Sequence, residues 1–181
     1  MSILKVARMG HPVLRAKARP VEKADLKSAA IQKLIDDMID TMVEYHGVGL
    51  AAPQVHEGLR IFVASLDVED DEKSGPDPEP IALINPEITV VGSDVVEDWE
   101  GCLSIPDVRG RVPRAREIRL RALDRNGGRL ELRAHDFPAR VMQHETDHLD
   151  GVLFFDRMRS LESLTFLDEY ARYWAKNNDE D

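Results

Sequence analysis

The stretch His144-Glu145-Thr146-Asp147-His148 carries the residue types of a metal centre. On a helix, positions four apart lie on one face, so His144 and His148 can offer two imidazoles to one divalent ion. Glu145 then stands beside that ion and can move a proton. A solvated acidic turn of helix would carry the same letters, since Glu145, Asp147 and Asp150 are all polar. Further ligands decide between the two. Cys102 is the single cysteine and follows Gly101. It can be a buried filler, or a thiolate delivered by a strand or turn that completes a three-ligand site and leaves the fourth position for water. Water at such a site is acidified and becomes hydroxide near neutral pH. Attack on a carbonyl also needs donors for the developing oxyanion. Gln54, closing the small-residue stretch Gly47-Val48-Gly49-Leu50-Ala51-Ala52-Pro53, and the backbone N–H of Leu103 can supply them. Together these residues make up the kit for hydrolysing an amide. Each histidine would want an acceptor on its second ring nitrogen, and the sequence names none.

Several elements must position these groups. Asp136-Phe137-Pro138 suits the first turn of the metal helix, and Gly151 suits its end. Residues 25–45 read as an earlier helix capped by Asp25, with Ile31, Leu34, Ile35, Met38, Ile39 and Met42 recurring at three and four. Leu59 to Leu66 reads as a covered strand. Strand-like runs follow at 81–84 and 88–96, separated by Asn85-Pro86. From Val108 to Leu123 polar and apolar residues alternate, the mark of a half-buried strand. Asp124-Arg125-Asn126-Gly127-Gly128 then turns the chain back through Leu130 and Leu132. Val6, Val13 and Leu14 are expected to pin an irregular, basic N-terminal arm. A closing helix over 161–175 would be anchored by Leu161, Leu164, Leu167 and Trp174, with residues 177–181 fraying. Within 67–80, Asp and Glu alternate with Pro and Gly, which reads as an acidic surface loop without the spacing of a calcium site. Arg114 can pair with Asp147 on the far side of the metal helix.

A chain of 181 residues fits one domain over 1–181, and 43% hydrophobic residues suffice for a core. The formal charge of -10 argues against general nucleic-acid binding. No apolar run is long enough for a membrane span, and the first residues lack a secretion signal. A cytoplasmic location and a monomer are expected. One cysteine excludes an intrachain disulfide.

Three blocks together resemble the peptide deformylase family: Gly47-Val48-Gly49-Leu50-Ala51-Ala52-Pro53-Gln54, Glu100-Gly101-Cys102-Leu103-Ser104, and His144-Glu145-Thr146-Asp147-His148. They stand in the family's order and span nearly the whole chain. The resemblance implies a single α+β domain with antiparallel β-sheets packed around a central metal-binding helix. It implies removal of the formyl group from the N-terminal methionine of nascent polypeptides, with release of formate. It further implies Cys102, His144 and His148 as ligands to one ion, Fe(II) by preference, with zinc or nickel accommodated. Glu145 would be general base and acid, and Gln54 and Leu103 would polarise the formyl oxygen. Gly49 would pair with the peptide backbone, Val48, Phe137 and Val141 would line the methionine pocket, and Arg109 would sit near the peptide exit. The implied partner is a formyl-methionyl nascent peptide at the ribosome surface, with no membrane and no specific DNA. Trp99 and Arg140 depart from many relatives, and Arg140 is expected to rim the pocket or turn outward.

Three other functions compete. A zinc endopeptidase would take its third ligand from Glu162 or Glu169. A ribosome-associated binding protein would use the basic cluster from Arg109 to Arg121. A thiol enzyme would use Cys102 as nucleophile.

Overall fold

Burial follows the apolar periodicity in helix α1 (Ala29–Glu44), where Ile31, Ile35, Met38 and Met42 face inward. The computed structural model describes residues 2–66 and 78–175. Most of the acidic stretch and the last residues therefore lie outside the described part. The α1 helix starts later than Asp25, because Ser28 is the residue whose hydroxyl accepts from the Ile31 N–H, at 3.3 Å. Residues 25–28 form a turn instead.

Strands β1 (Gly49–Ala51), β2 (Ile61–Ala64), β3 (Ile81–Cys102), β4 (Ile105–Leu123) and β5 (Arg129–His135) form an antiparallel sheet in that order. Strand β2 is fully buried between β1 and β3, which explains its unbroken apolar run. The two runs expected either side of Asn85-Pro86 are one strand. A bulge between Ile84 and Glu87 absorbs the proline, which has no N–H to give the ladder. Asn85 takes a φ of 53° there, and its side chain bonds the backbone N–H and carbonyl of Val21. Strands β3 and β4 close on a tight hairpin whose last pair is Cys102 opposite Ile105. The sheet thus carries Cys102 to its tip.

Helix α2 (Asp136–Leu149) follows β5 directly and contacts all five of these strands. Ala139, Val141, Met142 and Leu149 bury against Phe62, Leu83, Ile118 and Leu120. The result is an α+β architecture with α2 at its centre. Pro138 lies in the first turn, where its missing N–H costs nothing. At the far end the Val152 N–H reaches the Asp147 carbonyl at 2.9 Å and the Gly151 N–H reaches that of His148 at 3.3 Å. That pairing requires a left-handed residue, and Gly151 has φ 74°. A Cβ at Gly151 would stand 2.6 Å from the Arg15 carbonyl oxygen. Gly151→Ala is expected to cost about 1–3 kcal/mol, read as a lowered melting temperature. An unchanged one would contradict this account of the helix end.

The N-terminal arm crosses the molecule behind this helix. Ala7 N–H donates to the Gln54 carbonyl at 2.7 Å, Met9 N–H to that of Ser104 at 2.8 Å, and Ala18 N–H to that of Leu149 at 2.9 Å. Leu14 is its buried anchor, with Val6 and Val13 half-buried.

The C-terminal segment departs from expectation. Residues 161–175 are not one helix but a two-residue strand, β6 (Thr165–Phe166), paired with β4, and a short α3 (Leu167–Tyr173) with no buried residue. Leu161, Leu164, Leu167 and Trp174 are 66%, 40%, 40% and 50% exposed, so they do not anchor a core. Among the described residues, no helix is long and apolar enough to cross a membrane.

Candidate metal centre

Cys102 on the hairpin tip, and His144 and His148 one turn apart on α2, bring their ligand atoms within 4.8 Å of one another. The Cys102 Sγ lies 3.2 Å from His148 Nε2. Burial alone would raise the Cys102 thiol, but His148 and His144 beside it hold it well below the usual thiol range. That environment favours the thiolate, the form that binds a metal. His144 Nδ1 lies 2.9 Å from Glu100 Oε2, which leaves its Nε2 for an ion. Burial would lower His144, yet its contacts with Cys102 and Glu100 raise it well above the usual imidazole range. The donor set fits a divalent ion: one soft sulfur, two imidazoles, and a carboxylate that orients one of them. His148 Nδ1 is buried and meets no protein acceptor, so only one histidine has the expected second partner.

Glu100 sits at the centre of a buried ionic network. It takes Arg114 Nε at 2.9 Å and Nη2 at 3.0 Å, and Arg140 Nη1 at 2.8 Å. Burial pushes its carboxyl up, but the bonds from His144 and Arg114 prevail and bring it down to about 2. Arg114 continues to Asp147 at 2.5 Å, the pairing that the sequence suggested, and Asp147 also holds Arg157 at 2.7 Å. Arg140 borders the groove and does not turn outward. Its guanidinium points into the protein, where the carbonyls of Val96 and Val112 accept from it at 2.7 and 2.8 Å. Arg114 and Arg140 are both within hydrogen-bond reach of Glu100, and a buried carboxylate needs such partners.

Glu145 is 4% exposed, and its Oε2 has no hydrogen-bond partner among the described residues. Burial pushes its carboxyl above the usual range. Gly49 fixes where this side chain goes, because a Cβ there would lie 2.6 Å from Glu145 Oε1 and 2.9 Å from its Cδ. Gly49→Ala is expected to displace Glu145 by a fraction of an ångström and to lower turnover about a hundredfold in a protein that still binds metal. Full turnover in that variant would show that Glu145 tolerates the shift.

Gln54 lies in a 3-10 turn (Ala52–Val55) and is buried. Its Oε1 accepts from the Ala51 N–H at 2.8 Å, which aims the amide nitrogen at Ser104 Oγ, 3.2 Å away, and Cys102 Sγ, 3.5 Å away. Above the centre opens a groove of about 820 Å³. Val48, Gly49, Leu103, Arg109, Phe137 and Val141 all border it, together with Cys102, His144, Glu145 and Gln54. Phe137 and Val48 are 55% and 44% exposed, an apolar mouth, and Val141 is buried beneath them. Arg109 lies across Gly101, whose lack of a side chain makes the room. Glu162 and Glu169 are not in the metal-capable group; Glu169 pairs instead with Arg172 at 3.4 Å. The basic run is largely occupied, with Arg114 buried, Arg116 on Asp136, and Arg119 and Arg121 on Glu131.

Glu100, as the acceptor on His144 and the partner of Arg114 and Arg140, is the functional surrounding that the sequence did not assign. The signal was present, since Glu100 stands two residues before the cysteine and His144 lacked a named acceptor.

Residues 3–164 match the polypeptide deformylase family. The chain is 43% identical over 175 residues to peptide deformylase 2 of Nostoc sp., covering 97% of both chains. Among solved structures it resembles a class I type b peptide deformylase from Acinetobacter baumannii with Met-Ala-Ser bound. That pair has a TM-score of 0.79 and 39% identity, over 87% of this chain and 100% of the other. It also resembles the peptide deformylase from Thermotoga maritima, with a TM-score of 0.76 and 39% identity over 88% of this chain and 100% of the other.

Proposed function

Since the chain belongs to the polypeptide deformylase family of hydrolases, we propose that its groove receives the formylated methionine of a nascent polypeptide and that Glu145 moves the proton of the hydrolysis. The observation that carries this reading is the unpartnered Glu145 Oε2, buried beside three converging ligand atoms at the floor of an open groove. Cys102, His144 and His148 would hold a divalent ion, Fe(II) by preference with zinc or nickel as substitutes, and that ion would supply Lewis acidity and acidify water.

The chain's own residues do the rest. Glu145, its carboxyl raised by burial, accepts a proton of water as the water oxygen bonds the formyl carbon, and returns it to the departing amine as the formyl C–N bond breaks and formate is released. Gln54 Nε2 turns from the sulfur toward the formyl oxygen, joined by the Leu103 N–H, and the two stabilise the charge that develops there. Gly49 pairs with the peptide backbone. Val48, Phe137 and Val141 hold the methionine side chain, an unbranched thioether that an apolar slot suits. Arg109 meets the peptide where it leaves the groove. The protein works as a monomer in the cytoplasm, on chains emerging from the ribosome.

The test is an anaerobic preparation in which metal content and formate release from formyl-Met-Ala are measured together. Formate is expected in proportion to bound metal, and Cys102→Ser is expected to lose both. A fully loaded protein that leaves formyl-Met-Ala intact would sink the reading. Activity that survives a chelator and dies with a thiol alkylator would favour Cys102 as a nucleophile instead.

A further inference from the structure

The family match stops at residue 164, immediately before β6 and α3. That segment nonetheless borders the groove. Thr165 pairs with Arg109 and Phe166 with Val108, so β6 is stitched to the strand that forms the groove's edge. Leu167, the first residue of α3, lines the groove together with Trp99 and Val108. Trp99 is held against α3: its ring lies 4.9 Å from that of Tyr170 at 64°, and 5.8 Å from that of Trp174. Ring contacts at these distances, the Tyr170 one edge-on, fix an aromatic orientation. The segment buries none of its own α3 residues, so it adds little to the core. Its apolar surface is continuous with the groove.

We propose that β6 and α3 form an additional wall of the substrate groove, a subsite where Trp99 and Leu167 receive an apolar or aromatic residue of the peptide on the C-terminal side of formyl-methionine. The proposal rests on the deformylase reading of the groove. It assigns Trp99 to peptide selection rather than to the metal, and makes Tyr170 its positioning residue.

Three measurements test it on the full-length, metal-loaded protein. Formyl-Met-Ala-Ala-Ala amide is compared with peptides carrying Phe at the third or fourth position. One of the Phe peptides is expected to show a KM lower by about tenfold at similar kcat. Leu167→Asp and Tyr170→Ala, both outside the core, should each shrink that ratio toward one without changing the melting temperature. The chain's two tryptophans are Trp99 and Trp174, so intrinsic tryptophan emission reports on this wall alone. The unformylated product Met-Ala-Phe-Ala amide should shift it, whether or not turnover occurs, and Met-Ala amide at equal occupancy should shift it less. Equal KM values across the wild-type series, an undiminished ratio in both variants, or emission blind to peptide length would each overturn the wall. Absence of formate from every formylated peptide would instead remove the deformylase reading, and the emission titration would still decide whether peptides touch this surface.

Discussion

Glu145→Gln is expected to lower formate release by about a thousandfold while the purified protein keeps its full complement of metal. General acid–base catalysis by one positioned group contributes roughly 10²–10⁴-fold. The large end of that range applies where the same carboxyl must both take and return a proton. Glu145 ligates nothing in the three-residue cluster, so metal retention should not depend on it. Its Oε2 is buried without a partner, a state that costs stability. The isosteric amide removes a carboxyl that burial already disfavours as an anion. The melting temperature of the variant should therefore stay level or rise, the expected exchange of stability for function at an active site. Turnover within tenfold of wild type would take Glu145 out of the mechanism. Loss of metal along with turnover would mean that the side chain holds the ion instead.

Arg114→Met should be the most destabilising of the substitutions considered. The guanidinium is buried between Glu100 and Asp147 and bonds both. Removing it leaves two buried carboxylates short of a partner, although Arg140 and Arg157 remain. Breaking such a pair from one side costs about 3–5 kcal/mol, or a melting temperature lower by about 10 °C at this chain length. Because Glu100 also orients His144, metal affinity should fall about 10–100-fold. The pH dependence follows from the carboxyl's depressed pKa. Glu100 ionises at about 2 in the folded chain against 4.5 for a free glutamate. Its stabilising contribution is thus full above pH 4.5 and is lost as pH falls toward 2. In the variant the acid unfolding midpoint should move to higher pH. A variant with the wild-type melting temperature and acid midpoint would show that Arg140 and Arg157 suffice alone.

The chemistry of this molecule was legible wherever it is local. His144, Glu145 and His148 owe their relation to one turn of helix, and Glu100, Gly101 and Cys102 to a few residues of strand. Their meeting could be read only because three blocks resembled one family. What escaped depends on distant packing. Nothing in the sequence around Arg140 says that the Val96 and Val112 carbonyls and Glu100 wait for it inside. An arginine on a helix is read outward by default. The bulge at Asn85-Pro86 hid the continuity of β3, since a proline argues against a central strand. The apolar letters of 161–175 suggested an amphipathic helix. Leu161, Leu164 and Trp174 stay exposed instead, and Leu167 borders the groove, where exposure is compatible with use.

The backbone links from the N-terminal arm to Gln54, Ser104 and Leu149 set an order of assembly during translation. The arm leaves the ribosome first, but Ala18 finds the Leu149 carbonyl only after 131 further residues have been made. Long sequence separations slow folding. While it is being synthesised, then, a molecule proposed to trim the beginnings of other proteins holds this arm unfastened, and it acquires a working centre only once helix α2 has emerged.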